Sequence, residues 1–442
     1  MKPHFQSMRG LRAVSLAALA ATSLSVGTAA QAAPVTLTYS DWHLAEPVWN
    51  RSLREAFAEF ERLNPDIKVN PEAVALGQRD VRYSTALRAG RGPDVFSLDV
   101  NPVKQFIQQG WVMDLSRFVE REGGGKWLAD FYPRTLEVVG DGKRTYGIPK
   151  TLVPMVLYYN SNMLKEAGIA QPPRTWTEFR DDARKLTKAS KPGGPIDQWG
   201  TTIVMAPAGF DLRFSVILRG FGGDMLTPDN KHSALNTPVA KEAFNFVLDM
   251  ILVDKTMTPG ISQVDAHGAR QHLATRRVGM AFESAWAHPI IADLNPALDA
   301  WNVLKISPVP QKEGAKGGIR STLHLKSLFI NPKTANPEAA WKLVKFLTDP
   351  ERMQRWYVDN NLLSARKSVN ATFDRIQKNA NARLMAQELE YAAFMPLIPE
   401  WPEINEAFRQ NLQAAVAGTK SREQALGDAH SQIEAILARA AR

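Results

Sequence analysis

Residues 35–69 read VTLTYSDWHLAEPVWNRSLREAFAEFERLNPDIKV, a strand, a helix and a second strand in close succession. Residues 35–39 alternate apolar and polar positions among β-formers, which is the pattern of a strand. Residues 47–63 then place Trp49, Leu53, Phe57 and Phe60 on one face of a helix. Asn64-Pro65-Asp66 stops that helix, because the residue before a proline avoids the right-handed helical region. Residues 67–69 form a second short strand. Two strands joined through a helix must lie parallel, with a right-handed crossover.

The alternation continues outward. Residues 79–89 predict a helix closed by Gly90-Arg91-Gly92-Pro93, 94–98 a buried strand, and 101–109 a helix stopped by Gly110. A turn at 140–143 leads through 146–149 to a strand at 155–159. Helices are predicted at 161–167, 176–189 and 238–252, and strands at 277–282, 301–306 and 327–330. Residues 307–320, rich in Pro, Gly and Lys, read as a connector. Asn336-Pro337-Glu338 opens a further helix, with Asn as N-cap and Pro in the first turn. Asp349-Pro350 punctuates it, 351–358 begins another, and the tail from 403 is largely helical. There is no internal repeat. A chain of 442 residues exceeds one typical core, so two α/β domains are expected.

The first 33 residues are of another kind. Lys2, Arg9 and Arg12 precede an apolar run at 13–26 that is too short to span a bilayer. Ala30-Gln31-Ala32 puts small residues at the −3 and −1 positions of a cleavage site. This is the order of a secretory signal peptide rather than of a membrane anchor. The chain has no cysteine, so it carries no disulfide and no lipid-anchoring thiol at the cleavage point. A free, soluble product of a Gram-negative periplasm is therefore expected. The formal charge of +9 falls to about +6 without the leader, and no long Lys/Arg block occurs. That describes a solvated basic surface and gives no nucleic-acid footprint.

Five stretches, in order, carry a resemblance to a known family. They are Phe60-Glu61-Arg62-Leu63-Asn64-Pro65-Asp66-Ile67-Lys68-Val69; Gly92-Pro93-Asp94-Val95-Phe96; Tyr158-Tyr159-Asn160 with Gly168-Ile169 and Pro172-Pro173-Arg174-Thr175-Trp176-Thr177-Glu178-Phe179; Gly279-Met280-Ala281-Phe282-Glu283-Ser284-Ala285-Trp286; and Asn336-Pro337-Glu338-Ala339-Ala340-Trp341 with Phe346-Leu347-Thr348. Together they resemble the family 1 extracellular solute-binding proteins of ABC importers, the group that includes maltose-binding protein.

The resemblance implies a two-lobed, type II-like periplasmic binding protein fold. Each lobe would be a mixed, mostly parallel sheet flanked by helices, and hinge crossings would join the two. It places residues 34–148 and 307–349 in the first lobe and 149–306 and 350–442 in the second, with crossings near 147–150, 306–310 and 347–350. It also implies capture of a sugar or oligosaccharide between the lobes, delivery to a membrane permease that recognises the closed form, a monomer, and no cofactor.

In open parallel sheets, ligands sit beyond the carboxyl ends of strands. A sugar site needs planar polar side chains for the hydroxyl rim and aromatic rings for the apolar face. Trp42 and His43 follow the first strand, where either ring would stack on a pyranose or pack beneath the first helix. Gln78 and Arg79 follow the second strand. Asp99 ends the third, either as a sugar acceptor or as the N-cap of the next helix. Glu283 and Trp286 follow a strand of the second lobe at the family's ligand-side turn. Arg320 follows the Gly317-Gly318 turn. Trp401, between Pro399 and Pro402, is similar to a late aromatic that stacks on sugar in some relatives. Phe210 and Arg213 belong to the Gly209 loop. If Arg79, Arg213 and Arg320 converge, they suit an anionic solute such as a glycerol phosphoester or sugar acid.

Enzyme signatures are missing. There is no GxSxG elbow, no HExxH and no GxxxxGK[ST] loop, and His267 and His272 are spaced across a helix face rather than along it. A glycosidase acid pair is not legible in a sequence, because it depends on carboxylate separation.

Overall fold

The computed structural model describes residues 34–189, 191–315 and 317–441; the leader at 1–33 lies outside them. Strand β1 (Val35–Asp41) ends in a 3-10 turn (Trp42–Ala45), then come the helix Pro47–Leu63 and β2 (Ile67–Ala73). β1 and β2 run parallel from the Val35–Ile67 pair to Asp41–Ala73, as the opening stretch requires. β3 (Val95–Asp99) pairs parallel with the other side of β1. The chain then forms β4 (Gly147–Pro154) and, after Met155 alone, β5 (Val156–Asn160). β6 (Trp199–Thr202), β7 (Val278–Glu283) and β8 (Leu304–Ser307) join β5 in a second sheet of order β6-β7-β5-β8. β9 (Ser321–Ile330) and β10 (Ala392–Ala393) return to the first sheet, whose order is β10-β9-β3-β1-β2 with β4 also on β9.

This is an α/β fold of two lobes, each a mixed sheet flanked by helices. Parallel pairs prevail in the first sheet, with β1–β2, β1–β3 and β9–β10 against the antiparallel β3–β9 and β4–β9. In the second sheet only β6–β7 is parallel. The expected preponderance of parallel pairing thus holds for the first sheet alone. β5 enters the second sheet straight from β4, without a crossover helix, and runs against both its neighbours.

The local chemistry explains the elements. Pro47 sits in the first turn of its helix, where a missing N–H leaves no bond unmade. Trp49, Leu53, Phe57 and Phe60 of that helix are buried, and Tyr39 of β1 meets Phe57 edge-on at 4.9 Å. The helix Trp176–Leu186 opens with a capping box in which Thr175 and Glu178 satisfy each other's backbone N–H groups. It packs so tightly on β6 that a Cβ at Gly200 would lie 2.2 Å from the Ala183 carbonyl oxygen.

Two boundaries differ from the sequence reading. The first passage between sheets is at Met155, later than 147–150, because β4 pairs antiparallel with β9 of the first sheet along its length, apart from a bulge at Lys150. Residues 350–393 belong with the first sheet, whereas the sequence placed them in the second lobe. The helix Pro350–Asn360 lies on Pro47–Leu63, where Asn360 Nδ2 donates to Ser52 Oγ at 3.0 Å and Arg352 pairs with Glu59. Ala392–Ala393 then pairs with Ser321–Thr322. Only the tail crosses over. In the helix Trp401–Val416, Phe408 packs on Phe210, Phe214 and Phe244, and Arg409 Nη1 donates to the Met205 carbonyl at 3.3 Å.

Candidate functional site

The carboxyl ends of β1, β2 and β3 and those of β6 and β7 converge on one cavity of about 300 Å³. Trp42 follows β1, Arg79 and Asp80 follow β2, and Asp99 and Asn101 close β3. Opposite them stand Gly209, Asp211 and Arg213 from the start of the helix Phe210–Gly220, Arg270 from the helix Ala266–Ala274, and Trp286 after β7. His324 of β9 and Asn405 and Glu406 of the tail helix complete the wall.

On the first-sheet side the charges are interlocked. Arg79 Nε donates to Asp80 Oδ1 at 2.7 Å, and its Nη1 pairs with Asp99. His324 Nε2 lies 3.3 Å from Asp99 Oδ1. Behind them the buried Lys326 binds Asp41 Oδ1 at 2.8 Å and sits 4.4 Å from the centre of the Trp42 ring. Burial alone would raise the Asp99 pKa. Arg79, Lys326 and His324 together outweigh burial and hold the carboxyl well below its usual range. Asp99 occupies the N-cap position of Val100–Gln108 but makes no side-chain cap bond, because its carboxylate is engaged by Arg79.

On the second-sheet side everything turns on Glu283. This carboxylate is wholly buried; Oε1 accepts from Arg213 Nη2 and Oε2 from Trp286 Nε1, each at 2.5 Å. Arg213 also donates to the Gly209 carbonyl at 3.1 Å. Gly209 has φ +87, and a Cβ there would lie 2.7 Å from Arg213 Nη1, so both backbone and contact call for glycine. Asp211 accepts from Trp401 Nε1 at 3.2 Å and from Asn101, and burial raises its pKa against those bonds. The Asn101–Asp211 contact spans the cavity, joining the end of β3 to the opposite wall.

Of the residues expected from sequence, Trp42, Arg79, Asp99, Arg213 and Trp286 line this cavity. Glu283 and Trp401 stand behind it and orient Arg213, Trp286 and Asp211. The other four do not line it. His43 is packed between Trp42 and Trp49, with ring centroids at 4.3 and 4.1 Å, as the core reading had it, and burial keeps its pKa low. Phe210 points into the ring cluster with Phe214 and Phe408. Gln78 is exposed beside the cavity wall. Arg320 is locked to Glu388 at 2.6 Å and lies over Tyr391, so the three expected arginines do not meet. Arg270 takes the place of Arg320.

The residues missed by sequence reasoning are Asp80, Asn101, Asp211, Arg270, His324, Asn405 and Glu406. Asn101 and Asp80 adjoin residues that strand ends did signal. His324 in the middle of an antiparallel strand and Arg270 in the middle of a helix had no local signal.

The sequence pattern of the bacterial extracellular solute-binding proteins matches residues 46–354. The chain belongs to this family. Its members are binding proteins rather than enzymes, which removes the glycosidase reading. A Brucella abortus (strain 2308) protein named only as a binding protein is 27% identical over 414 residues, covering 94% of this chain and 96% of that one. The galactooligosaccharide-binding protein of Bacillus subtilis (strain 168) is 24% identical over 393 residues, with 86% and 85% covered. The solute-binding protein of a Thermotoga lettingae ABC transporter, solved with α-D-tagatose, superposes with a TM-score of 0.81 at 24% identity, over 91% of this chain and 100% of that one. This family's two-lobed architecture is the one described above. No helix among the described residues is long and apolar enough to cross a membrane.

Proposed function

We propose that this protein is the periplasmic sugar-capturing component of an ABC importer, holding its ligand in the cavity between the two sheets and presenting the closed form to a membrane permease. One observation carries the reading. Two tryptophans and a ring of planar polar side chains, supplied by both sheets, surround a space of saccharide size. Five of these side chains carry buried polar atoms without a hydrogen bond among the described residues: Trp42 Nε1, Arg213 Nε, Arg270 Nε and Nη1, His324 Nδ1 and Asn405 Oδ1. Each such atom costs about 1–3 kcal/mol, so a cluster of them at one cavity marks a place built for a polar partner. The sugars named for the Bacillus and Thermotoga proteins support this and favour a sugar over a phosphoester.

In this reading the lobes are 34–154 with 321–393, and 156–307 with 401–441, and the hinges are the three passages between them. A ligand bridging both walls binds the closed form better, and that differential affinity drives closure. Residues 1–33 act as the export signal, and the mature protein works as a monomer. A thermal-shift screen of the purified protein against mono- and oligosaccharides, polyols and sugar acids tests the proposal. A tight ligand raises the melting temperature through mass action. No shift with any member of the panel would sink it.

A further inference from the structure

Arg270 is the outlier of the site. Its side chain is 5% exposed and lines the cavity, yet its guanidinium donates no hydrogen bond among the described residues. Its nearest acid, Glu283, lies 3.8 Å from Nε, and both Glu283 oxygens are already taken, Oε1 by Arg213 and Oε2 by Trp286. Two buried guanidinium groups therefore share one carboxylate. The other acids of this wall are engaged elsewhere. Asp211 accepts from Trp401 and Asn101, and Glu406 is paired with Arg409 at 2.5 Å. Burial weakens the hold of Arg270 on its charge, and Glu283, opposed by Arg213 and aided by Glu46 and Asp265, only partly restores it. A neutral hydroxyl would satisfy its N–H groups but would bring no negative charge to it.

We infer that the sugar taken by this cavity bears a carboxylate, as a uronic or aldonic acid does, and that Arg270 receives it. The inference rests on the sugar-binding reading and narrows it. One ligand carboxylate would give Arg270 the close partner that Glu283, already held by Arg213 and Trp286, does not. A phosphate, carrying about −1.5 to −2, would meet up to twice the repulsion of a carboxylate from Asp80, Asp99, Asp211 and Glu406 around the same space.

Isothermal titration of the purified protein with matched pairs decides the matter: galactose against galacturonate, glucose against glucuronate, and the corresponding disaccharides. At least one acid should bind about tenfold or more tighter than its neutral twin. Arg270→Gln should erase that preference, and Arg270→Lys should keep part of it. Circular dichroism establishes that the variants fold, and if Arg270→Gln does not, the wild-type pairs decide alone. Equal or better binding of the neutral twins, or an unchanged ratio in Arg270→Gln, overturns the carboxylate inference and leaves sugar capture standing. If no sugar, neutral or acidic, binds at all, both readings fall together.

Discussion

Glu283 holds two neighbours at once, and its substitution should show how far the site depends on buried charge. Glu283→Gln keeps the shape but leaves Arg213 and Arg270 without a counter-charge. Removing one partner of a buried ion pair costs about 3–5 kcal/mol, so the ligand-free variant should melt well below wild type in a calorimetric scan. Trp286→Phe keeps a ring but loses the indole N–H. It leaves Glu283 Oε2 unpaired, which costs about 1–3 kcal/mol, and sugar affinity should fall while circular dichroism stays native. An unchanged affinity would remove Trp286 from the site. These residues were legible because Glu283 and Trp286 sit at or just past a strand's carboxyl end. Arg270 was not. Nothing in residues 266–274 says which side of that helix meets Glu283, since the contact exists only after distant segments pack.

At the scale of elements, the opening strand–helix–strand was readable because apolar spacing and a proline stop agree there. β4 was not, because its first residues were read as a turn exit and its pairing partner, β9, lies about 170 to 180 residues away, from Gly147–Phe329 to Pro154–Leu323. The packing of Pro350–Asn360 on Pro47–Leu63 was not readable for a related reason. Asp349-Pro350 does start a new helix, but helix starts carry no information about which sheet the helix covers. β4 also carries the buried Lys150, whose Nζ has no hydrogen-bond partner among the described residues and lies 3.5 Å from the Trp356 ring centre. Burial pushes its pKa down from 10.5 to about 7, with Asp41 opposing. Between these two values the unfolded chain holds a proton that the folded chain has released, so stability rises with pH across that window. Urea titrations between pH 7 and 10 should show this rise in the wild type and a flatter profile in Lys150→Met. Parallel profiles would show that Lys150 keeps its ordinary pKa.

For the whole molecule, the Asn101–Asp211 contact is a side-chain tie across the cavity. Asn101→Ala removes it, and the ligand-free variant should then have a larger radius of gyration by small-angle scattering. Sugar affinity should also fall roughly tenfold, since closure loses a hydrogen bond to a carboxylate. Identical scattering curves would mean that the tie does not restrain the walls. β1 lies between β2 and β3 of the first sheet, whereas the closing helix Arg422–Ala440 packs behind the second, with Arg422 Nη1 2.7 Å from Asp249 Oδ1. Residues 34 and 441 therefore ride on different bodies. A pair of fluorophores attached at those two positions would convert occupancy of the binding site into a change in energy transfer, without any label near the ligand.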